Sequence, residues 1–485
     1  MGTSRRGLPA LIPLAVGAAT ALLSAFTAAE AVGGESPRAP NVVLILADDL
    51  GYGDLSCYDC PDVRTPSLDR LAQQGVLLTD CYSNGSVCSP TRAALMTGRY
   101  QQRIGLEWAP YYQAHGEGLP PQERSLAQVV RQAGYATAMA GKWHLGYDEG
   151  WIPNDHGFDR FFGSLGGNIH YFRHVDRLGV PDLFLDREPV KRKGYATDLT
   201  ADFAVEVIDA WADRPFFLYV AFNAPHFPYQ GPDEADRVVE PRTKGWQAGT
   251  RRSYVAMVER LDQAVGRIVA AVDAHRLGER TLVVFTSDNG GATHSRNDPC
   301  AEGKGTLWEG GIRVPCIARW TSVLPPGVRS PQVACTLDWA ATVAALPGAE
   351  PPADRPFDGI DLMPILRGDR APVERTLFWR RAPDPHRGGV EPHRAVRQGD
   401  WKYIDQPEGT QYLYRLSDDV GEQHNLAADE PDRVAAMERL LDRWEADVDP
   451  PLYDQRTRAL ANRRARSKPR SKPRPGPTPG AGKRP

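Results

Sequence analysis

Apolar residues follow two alternating rhythms along the chain. Residues 41–47 (NVVLILA), 216–222 (FFLYVAF) and 281–286 (TLVVFT) are unbroken runs rich in Val, Leu and Phe. That is the pattern of strands buried on both faces of a parallel sheet. Between them Leu199, Phe203 and Val207 recur every four residues, as do Met257, Leu261 and Val265, which predicts amphipathic helices. Strands alternating with helices predict an α/β domain with helical layers on both faces of a mostly parallel sheet. After about residue 365 the pattern changes to short strand-like pieces at 377–379, 395–397, 401–404 and 412–414, separated by Gly and Pro turns, and then a helix from about Glu430 to Ala446. This predicts a smaller α+β subdomain with a short antiparallel sheet. The boundaries implied are 41–365 for the large domain and 366–455 for the small one.

Both ends of the chain differ from this body. Ser4-Arg5-Arg6 precedes an Ala/Leu-rich run from Leu8 to Ala29, and Ala29-Glu30-Ala31 offers small residues at cleavage spacing. The layout predicts a signal peptide over 1–31, with a twin-arginine character, followed by a linker over 32–40. It implies an exported, periplasmic or secreted bacterial protein with no stable membrane span once the signal is removed. At the other end, residues 456–485 form a basic, Pro-rich tail that cannot build a core.

Composition adds one correction to the first impression of the charge. A content of 41% hydrophobic and 25% charged residues excludes wholesale disorder, and a net charge of -3 argues against a nucleic-acid partner. Yet residues 463–485 hold nine basic residues and no acidic one, so residues 1–462 carry -12 and residues 32–462 about -13. The near-neutral total is an acidic body averaged with a basic tail. Seven cysteines are consistent with export but predict no pairing, and no second pair stands at zinc-site spacing from Cys57 and Cys60.

Candidate chemistry collects where the predicted strands end. The first strand runs into Asp48-Asp49, and the strand at 281–286 leads into Ser287-Asp288-Asn289. Ligands of an open parallel sheet bind beyond the carboxyl ends of its strands. Either pair alone reads as a turn cap. Together they make an all-oxygen set suited to Ca²⁺ or Mg²⁺. Cys88-Ser89-Pro90-Thr91-Arg92 follows a Gly/Ser-rich loop and opens a helix-like stretch. A cysteine near a helix start with a cation beside it is placed for a lowered pKa.

Cys88-x-Pro90-x-Arg92 followed by Leu95-x-Thr97-Gly98-Arg99 resembles the signature of the type I sulfatases, in the alkaline-phosphatase-like superfamily. Gly141-Lys142-Trp143-His144-Leu145-Gly146, Asn223-Ala224-Pro225-His226-x-Pro228, Gly303-Lys304-Gly305-Thr306-x-Trp308-Glu309-Gly310-Gly311 and Arg397-x-Gly399-Asp400-Trp401-Lys402-Tyr403 match further family motifs in order. The motif pattern is most similar to the arylsulfatase A and N-acetylgalactosamine-6-sulfatase branch. The resemblance implies an alkaline-phosphatase-like α/β/α sandwich. It implies that Cys88 is oxidised to formylglycine by a formylglycine-generating or equivalent sulfatase-modifying enzyme. It implies that Asp48, Asp49, Asp288 and Asn289, with position 88, hold one divalent cation, Ca²⁺ ahead of Mg²⁺. Arg92 would hold the aldehyde hydrate, Lys142 and Lys304 would clamp sulfate oxygens, His144 would act on the second hydroxyl of the hydrate and His226 would face the leaving group.

The resulting expectation is a hydrolase of sulfate monoesters acting on a small sulfate ester or a sulfated glycan. Two alternatives share these residues: cleavage of phosphodiesters or phosphonate monoesters at the same site, and a non-catalytic binder of sulfated glycans. His170, His174, His294, His386 and His393 lie in loop-like stretches that could line a pocket, and Trp308, Trp379 and Trp401 could stack a substrate ring or pack the subdomain.

Overall fold

The computed structural model describes residues 39–110, 115–382, 393–407 and 409–449. The expected signal peptide, the tail, His386 and most of the linker lie outside them. Among the described residues no helix is long and apolar enough to cross a membrane.

The central sheet has ten strands, numbered here in chain order. Across the sheet they run β11 (Val328–Ser330), β2 (Val76–Leu78), β10 (Cys316–Arg319), β9 (Thr281–Ser287), β1 (Asn41–Asp48), β8 (Phe216–Pro225), β4 (Ala136–Lys142), β5 (Arg160–Ser164), β6 (Phe184–Leu185) and β7 (Glu188–Pro189). The five strands from β9 to β5 are mutually parallel, and β10, β6 and β7 pair antiparallel. The three apolar runs of the sequence are therefore the three middle strands. Their side chains divide by the period of two. Val43, Ile45 and Ala47 join one core with α4 (Ala196–Ala210), α5 (Arg251–Ala274) and α1 (Pro66–Gln73). Val42, Leu44 and Leu46 join the opposite core with α2 (Cys88–Thr97), α3 (Leu126–Gln132) and α7 (Asp338–Ala345). Every residue of β1, β8 and β9 is buried, as a sheet covered on both faces requires.

Strands β4 and β5 flank this centre, and the apolar runs did not announce them. β4 reads ATAMAGK, and its small residues are a packing requirement. Gly141 has φ 102, and a Cβ there would collide with the carbonyl oxygen of Ala221 and press on Thr200 of α4. The strand runs this close to its neighbours and delivers Lys142 at its end.

A four-stranded antiparallel sheet, β13 (Thr376–Arg381), β14 (His393–Gln398), β15 (Trp401–Asp405) and β16 (Gln411–Arg415), forms the C-terminal part. The helix expected from about Glu430 to Ala446 is α9 (Pro431–Asp447), and it packs Val434, Met437 and Leu441 on Val396, Tyr403 and Leu413. The other face of this sheet, through Leu377, Trp379, Ala395 and Ile404, packs on Tyr82 and Leu307 of the large part. Tyr82 belongs to a two-strand pair, β3 (Cys81–Tyr82) with β12 (Ala334–Cys335). The short helix α8 (Met363–Leu366) lies in the connection.

The joint between the two parts contains a buried ion cluster. Lys402 Nζ lies 2.8 Å from Glu309 Oε1 and 2.8 Å from Glu422 Oε1. Glu309, in α6 (Glu309–Ile312), also accepts from Tyr82 Oη at 2.6 Å and Arg313 Nη1 at 3.1 Å. Both Lys402 and Glu309 have no exposed surface. One lysine cannot neutralise two buried carboxylates, and the pair resolves this by unequal protonation. Burial pushes Glu422 up to about 7 against the pull of Lys402. Burial also acts on Glu309, but Lys402, Arg313 and Arg397 outweigh it and hold that group at about 2.

Lys402→Met should remove the compensating cation, and removing one partner from a buried pair costs about 3–5 kcal/mol; denaturant titration would measure the loss. Glu422, with its folded pKa raised from 4.5 to about 7, stabilises below the lower value and loses that contribution as pH rises through the upper one. Unfolding free energy should therefore fall between these limits in the parent protein, and Glu422→Gln should flatten that limb. An unchanged slope in the variant would show that another group titrates there.

Candidate active site

The candidate residues from six separate stretches of sequence converge beyond the carboxyl ends of β1, β4, β8 and β9. β1 ends on Asp48, and Asp49 follows in a left-handed conformation (φ 64) that turns its carboxylate back toward the site. β9 hands over to Asp288 and Asn289, whose loop is stitched to β1 by Ser287 Oγ accepting from Leu50 N at 3.2 Å. β4 ends on Lys142, and β8 leads into His226. Cys88 is the first residue of α2, where the helix N-terminus contributes positive potential.

Charge in this buried space is closely paired. Lys142 Nζ donates to Asp48 Oδ2 at 2.6 Å, and Lys304 Nζ donates to Asp49 Oδ1 at 2.5 Å and to Cys88 Sγ at 3.4 Å. Arg92 reaches Asp288 Oδ2 with Nε at 3.0 Å and Nη2 at 2.7 Å, and donates Nη1 to the carbonyl of Lys142 at 3.0 Å. Lys142, Arg92, Asp48, Asp49 and Asp288 all have zero exposure. Lys142 is therefore no solvated surface lysine, and its burial carries a real desolvation cost.

The two histidines differ. His226 Nδ1 contacts Phe227 O at 2.7 Å, which assigns the proton to Nδ1 and leaves Nε2 facing Asp49 Oδ2 at 3.5 Å. Burial pulls its pKa down, but Asp49 and Asp48 outweigh burial and raise it. His144 sits at φ 58, with its carbonyl held by Ser89 Oγ at 2.8 Å. Burial, then Lys142 and Arg92, hold its ring well below the usual histidine range, and its buried Nδ1 has no hydrogen-bond partner. Burial pushes the Cys88 thiol up, while Lys142 and Lys304 overcome that and bring it down to about 6.

Four polar atoms decide what else the site can take. Asp48 Oδ1, Asp49 Oδ2 and Asn289 Oδ1 are buried oxygens without a hydrogen-bond donor, beside the Cys88 sulfur. Asp48, Asp49, Cys88 and His226 each offer an atom within 4.8 Å of the others. Orphaned buried acceptors are rare and costly, and three hard oxygens aimed together fit a divalent cation such as Ca²⁺. Asp288 is nearer to saturation, since Arg92 and the amide of Asp49 (3.3 Å) occupy its oxygens. Burial pushes Asp48 up to about 8 against the pull of Lys142.

The other candidates fall into structural roles. His170 Nδ1 accepts from the amides of Phe172 and Arg173, and His174 is buried in the same loop. His294 stacks edge-on against Tyr229 at 5.0 Å. Trp308 packs on Tyr412 and Trp379 donates to Ser83 O at 2.8 Å, joining the C-terminal part to the large one, while Trp401 lies under the guanidinium of Arg433 at 4.4 Å and braces α9 on the small sheet. All seven cysteines are free thiols. Ser89 and Tyr171, which donates its hydroxyl to His226 O at 2.9 Å, support the histidines and carried no separate signal in the sequence.

Comparison with known proteins gives a concordant result. Arylsulfatase A of Homo sapiens is 35% identical over 486 residues, spanning 88% of this chain and 90% of its own. N-acetylgalactosamine-6-sulfatase of Canis lupus familiaris is 34% identical over 397 residues, spanning 76% and 74%. The crystal structure of Ps i-CgsB matches with a TM-score of 0.79 at 32% identity, covering 89% of this chain and 98% of that one. A phosphonate monoester hydrolase of Agrobacterium radiobacter, at 22% identity and a TM-score of 0.64, shares the fold. A second family model, N-sulphoglucosamine sulphohydrolase C-terminal, matches residues 303–446. With the Sulfatase family model matching residues 40–349, more than half the chain, the protein belongs to the sulfatase family, enzymes that hydrolyse sulfate esters.

Proposed function

We propose that the protein is an exported, formylglycine-dependent sulfatase that cleaves sulfate monoesters with the help of one divalent cation, Ca²⁺ ahead of Mg²⁺. The observation that carries this reading is the placement of Cys88 at a helix start, 3.4 Å from Lys304 Nζ and beside three orphaned carboxylate and amide oxygens. A modifying enzyme acting before or during export would convert Cys88 to formylglycine. When present, the aldehyde hydrate supplies an attacking hydroxyl and the cation supplies positive charge next to it.

The chain's own residues account for the remaining steps. A sulfate ester is anionic, and Lys142 and Lys304 offset its charge in a space where water is excluded and electrostatic interactions are strong. Both lysines are bound to carboxylates, and a cation held by Asp48, Asp49, Asp288 and Asn289 would share that negative charge and free the ammonium groups for sulfate oxygens. His226 carries its Nδ1 proton on the Phe227 carbonyl, so Nε2 is the atom that delivers a proton to the leaving oxygen. His144, kept neutral by its burial and two cations, has a vacant Nδ1 able to receive one. Arg92 fixes Asp288 and the end of β4 in register, which sets the position of Lys142. Relatives named arylsulfatase, steryl-sulfatase and N-acetylgalactosamine-6-sulfatase leave the substrate class broad; Ps i-CgsB is described in complex with k-i-k-neocarrahexaose, in keeping with a glycan sulfate.

Mass spectrometry of the Cys88 peptide from the native host should find the aldehyde, and nitrophenyl sulfate should be hydrolysed faster than the matching nitrophenyl phosphodiester. Cys88→Ala should lower kcat by at least about 10³-fold. An unmodified thiol with no sulfate turnover would favour the binder, and faster phosphodiester cleavage would favour the phosphonate-type activity. In equilibrium dialysis, chelator-treated protein should take up one Ca²⁺ per chain, and Asp49→Asn should weaken that uptake by about 10–100-fold; equal uptake by both forms would sink the ligand assignment.

A further inference from the structure

Outside the catalytic cluster, one strongly charged surface stands against the sign of the body. Residues 32–462 carry about -13, yet Lys191, Arg192 and Lys193 are consecutive, exposed and, among the described residues, without an ion-pair partner. Arg177 and Arg242 neighbour each other, since Arg242 donates its backbone amide to Arg177 O at 2.9 Å and its Nε to Leu178 O at 3.0 Å. The acidic side chains packed against this surface are largely spent. Asp176 and Asp182 are buried on backbone amides, and Glu240 faces Arg173 at 3.7 Å. Glu188, the first residue of β7, is exposed.

Sheet register puts this surface at the mouth of the site. Gly141 pairs with Gly163, Gly163 with Phe184, and Phe184 with Pro189. Pro189 therefore lies three strand spacings, about 14 Å, from the strand end that presents Lys142. β7 runs toward that same end of the sheet, so Lys191 to Lys193 emerge there. The chain then enters α4, where Ala196 N donates to Tyr171 O at 2.8 Å, and Tyr171 bonds His226. The His174 ring meets the backbone of Gly194, Tyr171 and Arg192, tying the strip to the catalytic histidine's support.

We propose that this strip is a docking surface for a polyanionic chain, so that the substrate is a sulfated glycan bearing further anionic groups beyond the sulfate being cleaved. The inference rests on the sulfatase reading and narrows its substrate class. A small monoanionic ester needs only the buried lysines. An extended polyanion must approach a body of like charge, and a local unpaired cationic track at the mouth overcomes that repulsion and aligns the chain.

The test uses the full chain, dextran sulfate as probe and unsulfated dextran as its control. Dextran sulfate should inhibit nitrophenyl sulfate hydrolysis, more weakly as salt rises. The triple variant Lys191→Ser, Arg192→Ser, Lys193→Ser should raise its inhibition constant by about ten-fold while the KM for nitrophenyl sulfate stays within about two-fold. Arg439→Ser with Arg443→Ser, on the exposed side of α9, should change neither. An unchanged inhibition constant in the triple variant, or an equal loss in the α9 variant, overturns the strip. If nitrophenyl sulfate is not hydrolysed at all, the sulfatase reading fails and the strip is decided by acetylation of Lys191 and Lys193. Slowing by dextran sulfate but not by dextran upholds it, and equal rates with both overturn it.

Discussion

The arrangement of the site is governed by the cost of burying charge. Three aspartates, one lysine and one arginine have left water together, with Lys304 at their edge keeping 18% of its side chain exposed, and no one of the buried five is tolerable there alone. Arg92 is the member on which the others depend. Its guanidinium is planar and always charged, so it can brace Asp288 with two nitrogens while a third holds the backbone at Lys142. A lysine at position 92 would satisfy one of these contacts and leave the end of β4 unheld. Asp288 in turn accepts from the amide of Asp49, whose left-handed backbone needs that support. The ends of β9, β4 and β1 are thus locked by one side chain in the helix that begins with Cys88.

A second buried charge cluster performs the same task for Lys304. That lysine sits in a loop between β9 and α6, with no regular element of its own. The loop is fixed at both ends: Lys304 N donates to Gly291 O at 3.1 Å, Gly305 N to Ser86 O at 2.8 Å and Gly310 N to Ala301 O at 2.7 Å. A Cβ on Gly290 would collide with the carbonyl of Gly310, so the two loops meet backbone to backbone. Glu309 then anchors the far end through Lys402 of the small sheet. The C-terminal part is accordingly more than a packing appendage, because the cation beside Cys88 is positioned by an ion cluster that only this part completes.

What the sequence disclosed follows from how local each signal is. The middle strands β1, β8 and β9 and the helices α4, α5 and α9 were readable because uniform burial and a four-residue period are written in consecutive residues. That Asp48, Asp49, Asp288 and Asn289 meet beyond the strand ends was readable from their position in the sequence, and the proposed ligand, lysine, arginine and histidine roles came through family resemblance. β4 was not visible as a strand, since close approach to its neighbours and to α4 demanded Ala and Gly where a strand pattern would show Val or Ile, and β5 (RFFGS) is short, with only two consecutive apolar residues. The pairing of Lys402 with Glu309, 93 residues apart, has no local mark at all, and neither does the alignment of Pro189 with Gly141 across three strands.

These two invisible features act on the same site from opposite sides. The ion cluster at Glu309 fixes Lys304 beside Cys88, where the proposed reaction needs a cation. The strip at Lys191 to Lys193 lies in solvent, where an unpaired cation contributes little to folding and its retention costs solubility nothing. The buried cations are each bound to a carboxylate, whereas the exposed run is bound to none among the described residues. A chain selected only for fold stability would have no reason to leave three consecutive cations unpaired beside the sheet end that carries its reactive residues. Their excess over local acidic groups is the physical ground for assigning them to something outside the chain, and the sign of that excess requires the partner to be an anion.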